Sequence, residues 1–278
     1  NFFGVISSLH LYGNEKIDKI YYKSVSEKTY FPFIIIGSGP SGLATASKIS
    51  KKYPNQVAIL ERGGFYKTAK TKHPGKEFLN KWDKGGINST FLKERISFAS
   101  GNCVGGGSEI NSGLFHEPDE LFLKTWNDNF NIKNLTLKSL RPYLNEIKLF
   151  VNKDLSKKNV KFNSYFKKGI KNTKSKFKNL ERFISNDKNQ TKNTMTKIYL
   201  KQFEKDRGSL FSNYEVEKVY KKNGNWYILP LDKSNKILSC KNLFICCGSI
   251  HTNILLLKSN LIKKNKNILK SFKFHPMV

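Results

Sequence analysis

The sequence predicts an α/β chain organised on a parallel sheet, on three observations. An apolar run, "FPFIII", breaks into a glycine-rich turn at residues 37–42 and resumes at helical spacing before a second apolar run, "QVAIL". The order of short strand, glycine and helix returns late in the chain, in "KNLFICCGSIHTNILLLKS". Between these segments "NYEVEKVYKKNGNWYILPL" has β-branched and aromatic residues on both sides of Asn223–Gly224, a pair suited to a turn with positive φ, and reads as a hairpin.

Each element follows from local pattern. Residues 1–30 are a polar, weakly patterned N-terminal extension. "FPFIII" is the right length for a buried strand, "SGLATASKISKKY" for a helix, and "QVAIL" for a second buried strand. Strand, helix and strand in so short a span make a βαβ unit, whose crossover sets the two strands parallel. Residues 63–100 are loop-rich, with Gly63–Gly64, Pro74, Gly75 and Gly85–Gly86, and lead to a second glycine cluster, "GNCVGGGSEINSG" at 101–113. Leu140, Tyr143, Leu144, Ile147 and Val151 predict an amphipathic helix over about 135–152 whose apolar stripe packs on the core. Residues 153–195, dominated by Lys, Asn and Ser, read as a solvated excursion.

Bulk properties narrow the function. A chain of 278 residues with 38% hydrophobic and 13% aromatic residues can bury a sizeable core. No run approaches the roughly 18 apolar residues of a membrane span. Fifty Lys and Arg against 21 Asp and Glu give a net charge of +29, enough to attract nucleic acid. Arginine, the residue suited to bidentate recognition of bases and phosphates, occupies only positions 62, 95, 141, 182 and 207; the excess is dispersed lysine, and no nucleic-acid role is expected. Cys103, Cys240, Cys246 and Cys247 lack metal-ligand spacing, so no metal site and reduced thiols are expected. The expected compartment is the cytoplasm, with export left open because the chain opens on Asn1 rather than Met.

Gly37, Gly39 and Gly42 form G-x-G-x-x-G directly after a strand and at the mouth of a helix. The first permits the tight turn, the second lets backbone approach a pyrophosphate, and the third lets helix and strand pack closely. Ser38, Pro40 and Ser41 complete a turn whose amides and helix dipole face the phosphates. Glu61 ends the second strand nineteen residues beyond Gly42, where an acidic side chain accepts hydrogen bonds from the adenosine ribose. Arg62 follows it. Such a unit takes the ADP half of either FAD or NAD, and Glu61 disfavours the 2′-phosphate of NADP.

With the second cluster in place, the chain resembles the glucose–methanol–choline (GMC) oxidoreductases, FAD-dependent alcohol oxidases and dehydrogenases. Their second landmark, G-G-(G/S)-S-x-x-N, is matched by Gly105, Gly106, Gly107, Ser108 and Asn111, with Gly113 two residues on. The resemblance implies a Rossmann-like, three-layer FAD-binding domain in which this loop runs along the flavin pyrophosphate and ring, with Asn111, Ser112, Gly113 and Leu114 beside the isoalloxazine. Some members carry a flavin-linked histidine just before the asparagine; Ile110 stands there, so non-covalent FAD is expected. Val216 matches a strand valine that meets adenine through its backbone, and Cys247 and Gly248 a segment near the ADP moiety. "FKFHPMV" resembles the stretch preceding the substrate domain, with Phe274 where an acid is usual.

The resemblance implies 31–119 and 201–278 as two parts of the FAD domain, 120–200 as a helical and loop insertion, and most of the substrate domain missing. It also implies oxidation of an alcohol CH–OH with a histidine base from the family's C-terminal third, so no catalytic residue is assigned here and an isolated fragment is expected to be inactive. His10, His73, His116, His251 and His275 are read as structural, with His116 the one that could approach the ring. The alternatives are another FAD- or NAD-dependent dehydrogenase, or a non-catalytic FAD-binding piece. The resemblance further implies a small-molecule alcohol as substrate and reoxidation of the flavin by oxygen or another acceptor.

Overall fold

The computed structural model describes residues 28–66, 74–90, 96–152, 161–171, 173, 181–185 and 191–263. His10, His73, Phe274 and His275 lie outside them. The chain divides into two compact units, one formed by residues 1–110 with 199–278 and the other by 111–198.

In chain order the strands are β1 (Tyr30–Ile36), β2 (Val57–Leu60), β3 (Asn88–Ser89), β4 (Ser97–Phe98), β5 (Leu114–Phe115), β6 (Glu181–Arg182), β7 (Ser209–Phe211), β8 (Val216–Lys222), β9 (Asn225–Pro230) and β10 (Leu238–Ile245). Six of them build the sheet of the first unit in the order β7-β2-β1-β10-β9-β8. β7, β2, β1 and β10 are mutually parallel, and β9 and β8 extend the sheet antiparallel. The βαβ unit is present as expected: β1, a helix at Pro40–Lys52, and β2 paired from Phe33↔Val57 to Ile36↔Leu60. Asn223 (φ 49°) and Gly224 (φ 77°) turn the β8–β9 hairpin with both residues left-handed, the twist-matched turn such a pair favours.

All four residues of β2 are buried, as in a parallel strand covered on both faces. Phe31, Ile34, Ile36, Ala58 and Leu60 pack with Tyr214, Val219, Ile228, Leu238 and Leu255 into one apolar cluster. Leu43 and Ala46 of the Pro40–Lys52 helix are also fully buried. The loop-rich reading of 63–100 missed a helix at Pro74–Lys81 and a tight turn at Asp83–Gly86 in which Lys84, Gly85 and Gly86 are left-handed. Pro74–Gly75 looks like a breaker, yet proline at a first helical position costs no hydrogen bond.

In the second unit, the helix at Glu120–Phe130 is capped by Asp119, whose carboxylate accepts from the Phe122 amide at 2.7 Å. The expected amphipathic helix spans Leu137–Lys148, and Thr136 with Ser139 forms its capping box. Its stripe is less buried than the sequence implied. Leu140, Leu144 and Ile147 are half-buried, Val151 is buried beyond the helix end, and Tyr143 is 63% exposed. No helix among the described residues is long and apolar enough to cross a membrane.

Candidate FAD-binding site

A cleft of about 1270 Å³ opens in the first unit beyond the carboxyl ends of β1, β2 and β10. This is where parallel α/β sheets bind ligands, because the chain leaves adjacent strand ends in different directions. Gly37, Gly39, Pro40 and Ser41 line it from the first turn, and Glu61 and Arg62 from the end of β2. Gly106 enters from the second glycine cluster, Val216 from the start of β8, and Cys247 and Gly248 from the turn after β10.

The two glycine clusters meet. A Cβ placed on Gly106 would lie 2.9 Å from the Gly39 Cα, and the Gly105 amide donates to Ser38 Oγ at 3.1 Å. The second cluster is also tied to β2's end by Val104 N–H donating to Gly64 O at 3.0 Å. Ser38, Gly42, Gly105 and Ser108 belong to the same wall but do not line the cleft. Asn111, Ser112, Gly113 and Leu114 belong to the second unit. There Asn111 Oδ1 accepts from the Gly113 amide, Arg182 donates twice to Ser112 O, and Leu114 pairs with Arg182 across β5 and β6. His116 follows β5 in that unit, as sequence order requires.

The glycines of the first turn differ in what they serve. Gly37 needs its left-handed φ of 96°, and a Cβ there would sit 2.5 Å from Cys246 O; one on Gly42 would sit 1.9 Å from Gly37 O. Those two are demanded by the protein itself. Gly39 is not: its φ of −64° and ψ of −174° suit any residue, and an added Cβ meets nothing within 4 Å. Gly107, which also lines the cleft, likewise faces open space. Small residues facing an open wall leave room for something outside the chain. Gly39 caps the Pro40–Lys52 helix without a side-chain hydrogen bond, so the first-turn amides and the positive helix end stay free for an anion.

Glu61 is 7% exposed and held by three donors: Ser38 N–H at 2.9 Å and Ser38 O–H at 2.7 Å on Oε2, and Gly63 N–H at 2.8 Å on Oε1. Burial pushes its pKa above the usual carboxylate value, while those donors and Arg62 pull the other way. A carboxylate has about four acceptor positions, so one remains for a hydroxyl donor. Arg62 Nη2 lies 2.9 Å from Asp83 Oδ1 as an ion pair, yet it is buried with no partner in hydrogen-bond geometry. His251 Nε2 lies 4.0 Å from Asp83 Oδ2; burial first, then Arg62, holds its pKa below the ordinary histidine value. Burial pushes the Cys103 and Cys247 thiols up to about 12 and raises that of Cys246, so all three favour the protonated, weakly nucleophilic form.

Sequence reasoning missed the cleft wall at residues 97–100, next to the second glycine cluster, and it read His251, which also lines the cleft, as structural. Residues 97–100 carry no motif. They reach the cleft through Asp83 N–H to Ser100 O and Asn102 N–H to Lys81 O.

Two glycine bends thus line one cleft together with a buried carboxylate at the end of β2, an arrangement compatible with a bound dinucleotide. The family description "GMC oxidoreductase" matches residues 56–277. The chain belongs to the GMC oxidoreductases. An uncharacterized GMC-type oxidoreductase of Sinorhizobium fredii is 26% identical over 265 residues, covering 88% of this chain and 52% of its own length. Glucose oxidase 2 of Penicillium expansum is 30% identical over 129 residues, 43% of this chain and 21% of its own. Among solved structures, pyridoxine 4-oxidase from Mesorbium loti aligns with a TM-score of 0.66 at 12% identity, over 82% of this chain and 52% of its own. A fungal aryl-alcohol oxidase aligns at 0.57 and 14%, over 84% and 48%. These structures share the fold: a Rossmann-like FAD-binding domain. The chain thus spans about half the length of the bacterial relative and of the structures it matches, and FAD is the cofactor of its family. The open faces at Gly39 and Gly107 and the remaining acceptor position on Glu61 fit that group.

Proposed function

We propose that this chain is the FAD-binding part of an oxidoreductase acting on the CH–OH group of an alcohol. The observation that carries the reading is the meeting of the two glycine bends at Ser38–Gly39 and Gly105–Gly106 beside a buried Glu61. When bound, FAD supplies the hydride-accepting chemistry; the protein supplies position and electrostatics. In this reading the amides after Gly39 receive the diphosphate, Glu61 accepts from the ribose hydroxyls, and Val216, Cys247 and Gly248 flank the adenosine half. Binding is non-covalent: Ile110 offers no nucleophile, and the thiols of Cys246 and Cys247 at the cleft are kept protonated by burial. No residue of this chain is proposed as the proton-abstracting base: His251 lines the cleft 4.0 Å from Asp83 Oδ2, and burial, then Arg62, holds its pKa below the ordinary histidine value. Among the relatives' names, a glucose oxidase, a pyridoxine 4-oxidase and an aryl-alcohol oxidase support an alcohol, whereas a formate oxidase does not, and none selects a substrate. The lysine-rich charge is proposed to serve no nucleic-acid partner.

The test is spectroscopic. Purified in the length its gene specifies, the protein should be yellow, and a panel of primary alcohols should bleach its visible flavin band under anaerobic conditions. A colourless protein that rejects added FAD contradicts the reading. A yellow protein bleached by no alcohol would keep the cofactor and overturn the substrate class.

A further inference from the structure

We propose that Ser38 is a positioning residue that latches the second glycine loop to the first, so that the two bends bind one dinucleotide as a unit; this rests on the FAD reading above. The sequence casts Ser38 as a cofactor contact. Its side chain is instead fully buried, and both its amide and its hydroxyl are committed within the protein.

Proton counting fixes the direction of each bond. The Gly105 N–H can only donate, so Ser38 Oγ accepts there. The one hydroxyl proton of Ser38 then goes to Glu61 Oε2, 2.7 Å away. Ser38 N–H reaches the same oxygen, and Gly63 N–H occupies the other. One buried hydroxyl therefore joins three segments: the first turn, the end of β2 and the second loop. Its partners lie 23 and 67 residues away in sequence.

The second loop needs such a tie. Gly105 and Gly106 both hold positive φ, 95° and 54°, a conformation glycine adopts without being fixed in it. Ser108 Oγ donates to Gly105 O and Gly106 N–H donates to Cys103 O, but both bonds are internal to the cluster. Val104 anchors it to Gly64. The Gly105–Ser38 bond ties it to the first turn, where Gly106 packs against Gly39. Without the hydroxyl, a ligand that spans both bends must order the loop as it binds.

The variant is Ser38→Ala, read by amide hydrogen exchange at Gly105 in the apo protein and by equilibrium titration with FAD and with AMP. In the parent the Gly105 amide should exchange slowly. In Ser38→Ala it should exchange at least tenfold faster, and the FAD dissociation constant should rise about tenfold or more, the scale of a buried N–H left without its acceptor. AMP, which reaches Glu61 but not the second loop, should stay within about threefold of the parent, since a single exchanged bond at Glu61 is a small loss. Unchanged Gly105 exchange overturns the latch, and so does an equal loss for FAD and AMP, which would place the effect on Glu61 alone. If the variant fails to fold, rapid Gly105 exchange in the parent still overturns it, and slow exchange there supports it. A parent that rejects FAD would defeat the cofactor reading while leaving the exchange measurement to decide the latch.

Discussion

Gly39→Ala should leave the chain folded and take away most of its affinity for FAD. The backbone at Gly39 is in an ordinary extended conformation, and the added methyl meets no protein atom within 4 Å. Two small terms act on stability in opposite directions. Alanine is a poorer N-cap than glycine, by about 1 kcal/mol, and it lowers the entropy of the unfolded chain by a contribution of about 0.4–1 kcal/mol. The melting temperature should move little. The methyl instead occupies the space between the amides of the first turn and any diphosphate, lengthening charge-assisted bonds that depend on close approach. An increase of about a hundredfold in the FAD dissociation constant is expected, equivalent to about 2.7 kcal/mol. Thermal melts of the apo protein with a flavin fluorescence titration check both halves. Parent-like affinity would show that the open face at Gly39 is not where the nucleotide lies.

Gly42→Ala, three residues on, should do the opposite kind of damage. Its Cβ would sit 1.9 Å from the Gly37 carbonyl oxygen and 2.9 Å from the carbonyl carbon. Gly37 has no room to retreat. It is held at a φ of 96°, its N–H donates to Leu60 O at 2.8 Å, and its own Cβ direction is closed by Cys246 O. The strain must be absorbed by pulling the helix from β1, which separates Leu43 and Ala46 from the core. A loss of about 3 kcal/mol or more is expected, at the upper end for overpacking, and a melting temperature lower by about 10 °C. A melt within a degree or two of the parent would contradict the role given to this glycine. The two substitutions add the same methyl to one motif, and their contrast separates the glycine the fold needs from the glycine the ligand needs.

What was legible in the sequence was what depends on nearby residues. The βαβ order, the three glycines and Glu61 could be read because turn, helix mouth and strand end are set within about thirty residues. Asn223–Gly224 could be read because left-handed backbone selects those residue types. Long-range packing was not legible. Ser38 sits in a motif that contacts cofactors, yet its side chain turns inward because Glu61 and Gly105 are there to receive it. Residues 97–100 have no chemical signature and become a cleft wall through the bonds of Ser100 to Asp83 and of the adjoining Asn102 to Lys81. Tyr143 falls on an apolar stripe by periodicity, but periodicity states which side chains share a face and not how deeply that face is covered.

On this reading both glycine bends act on one molecule of FAD. Hydrogen exchange of the protein with and without FAD tests it most directly. One FAD per chain should slow exchange at residues 37–42 and at residues 101–107 together and over the same concentration range. FAD bound tightly with one bend protected and the other unchanged would contradict the account.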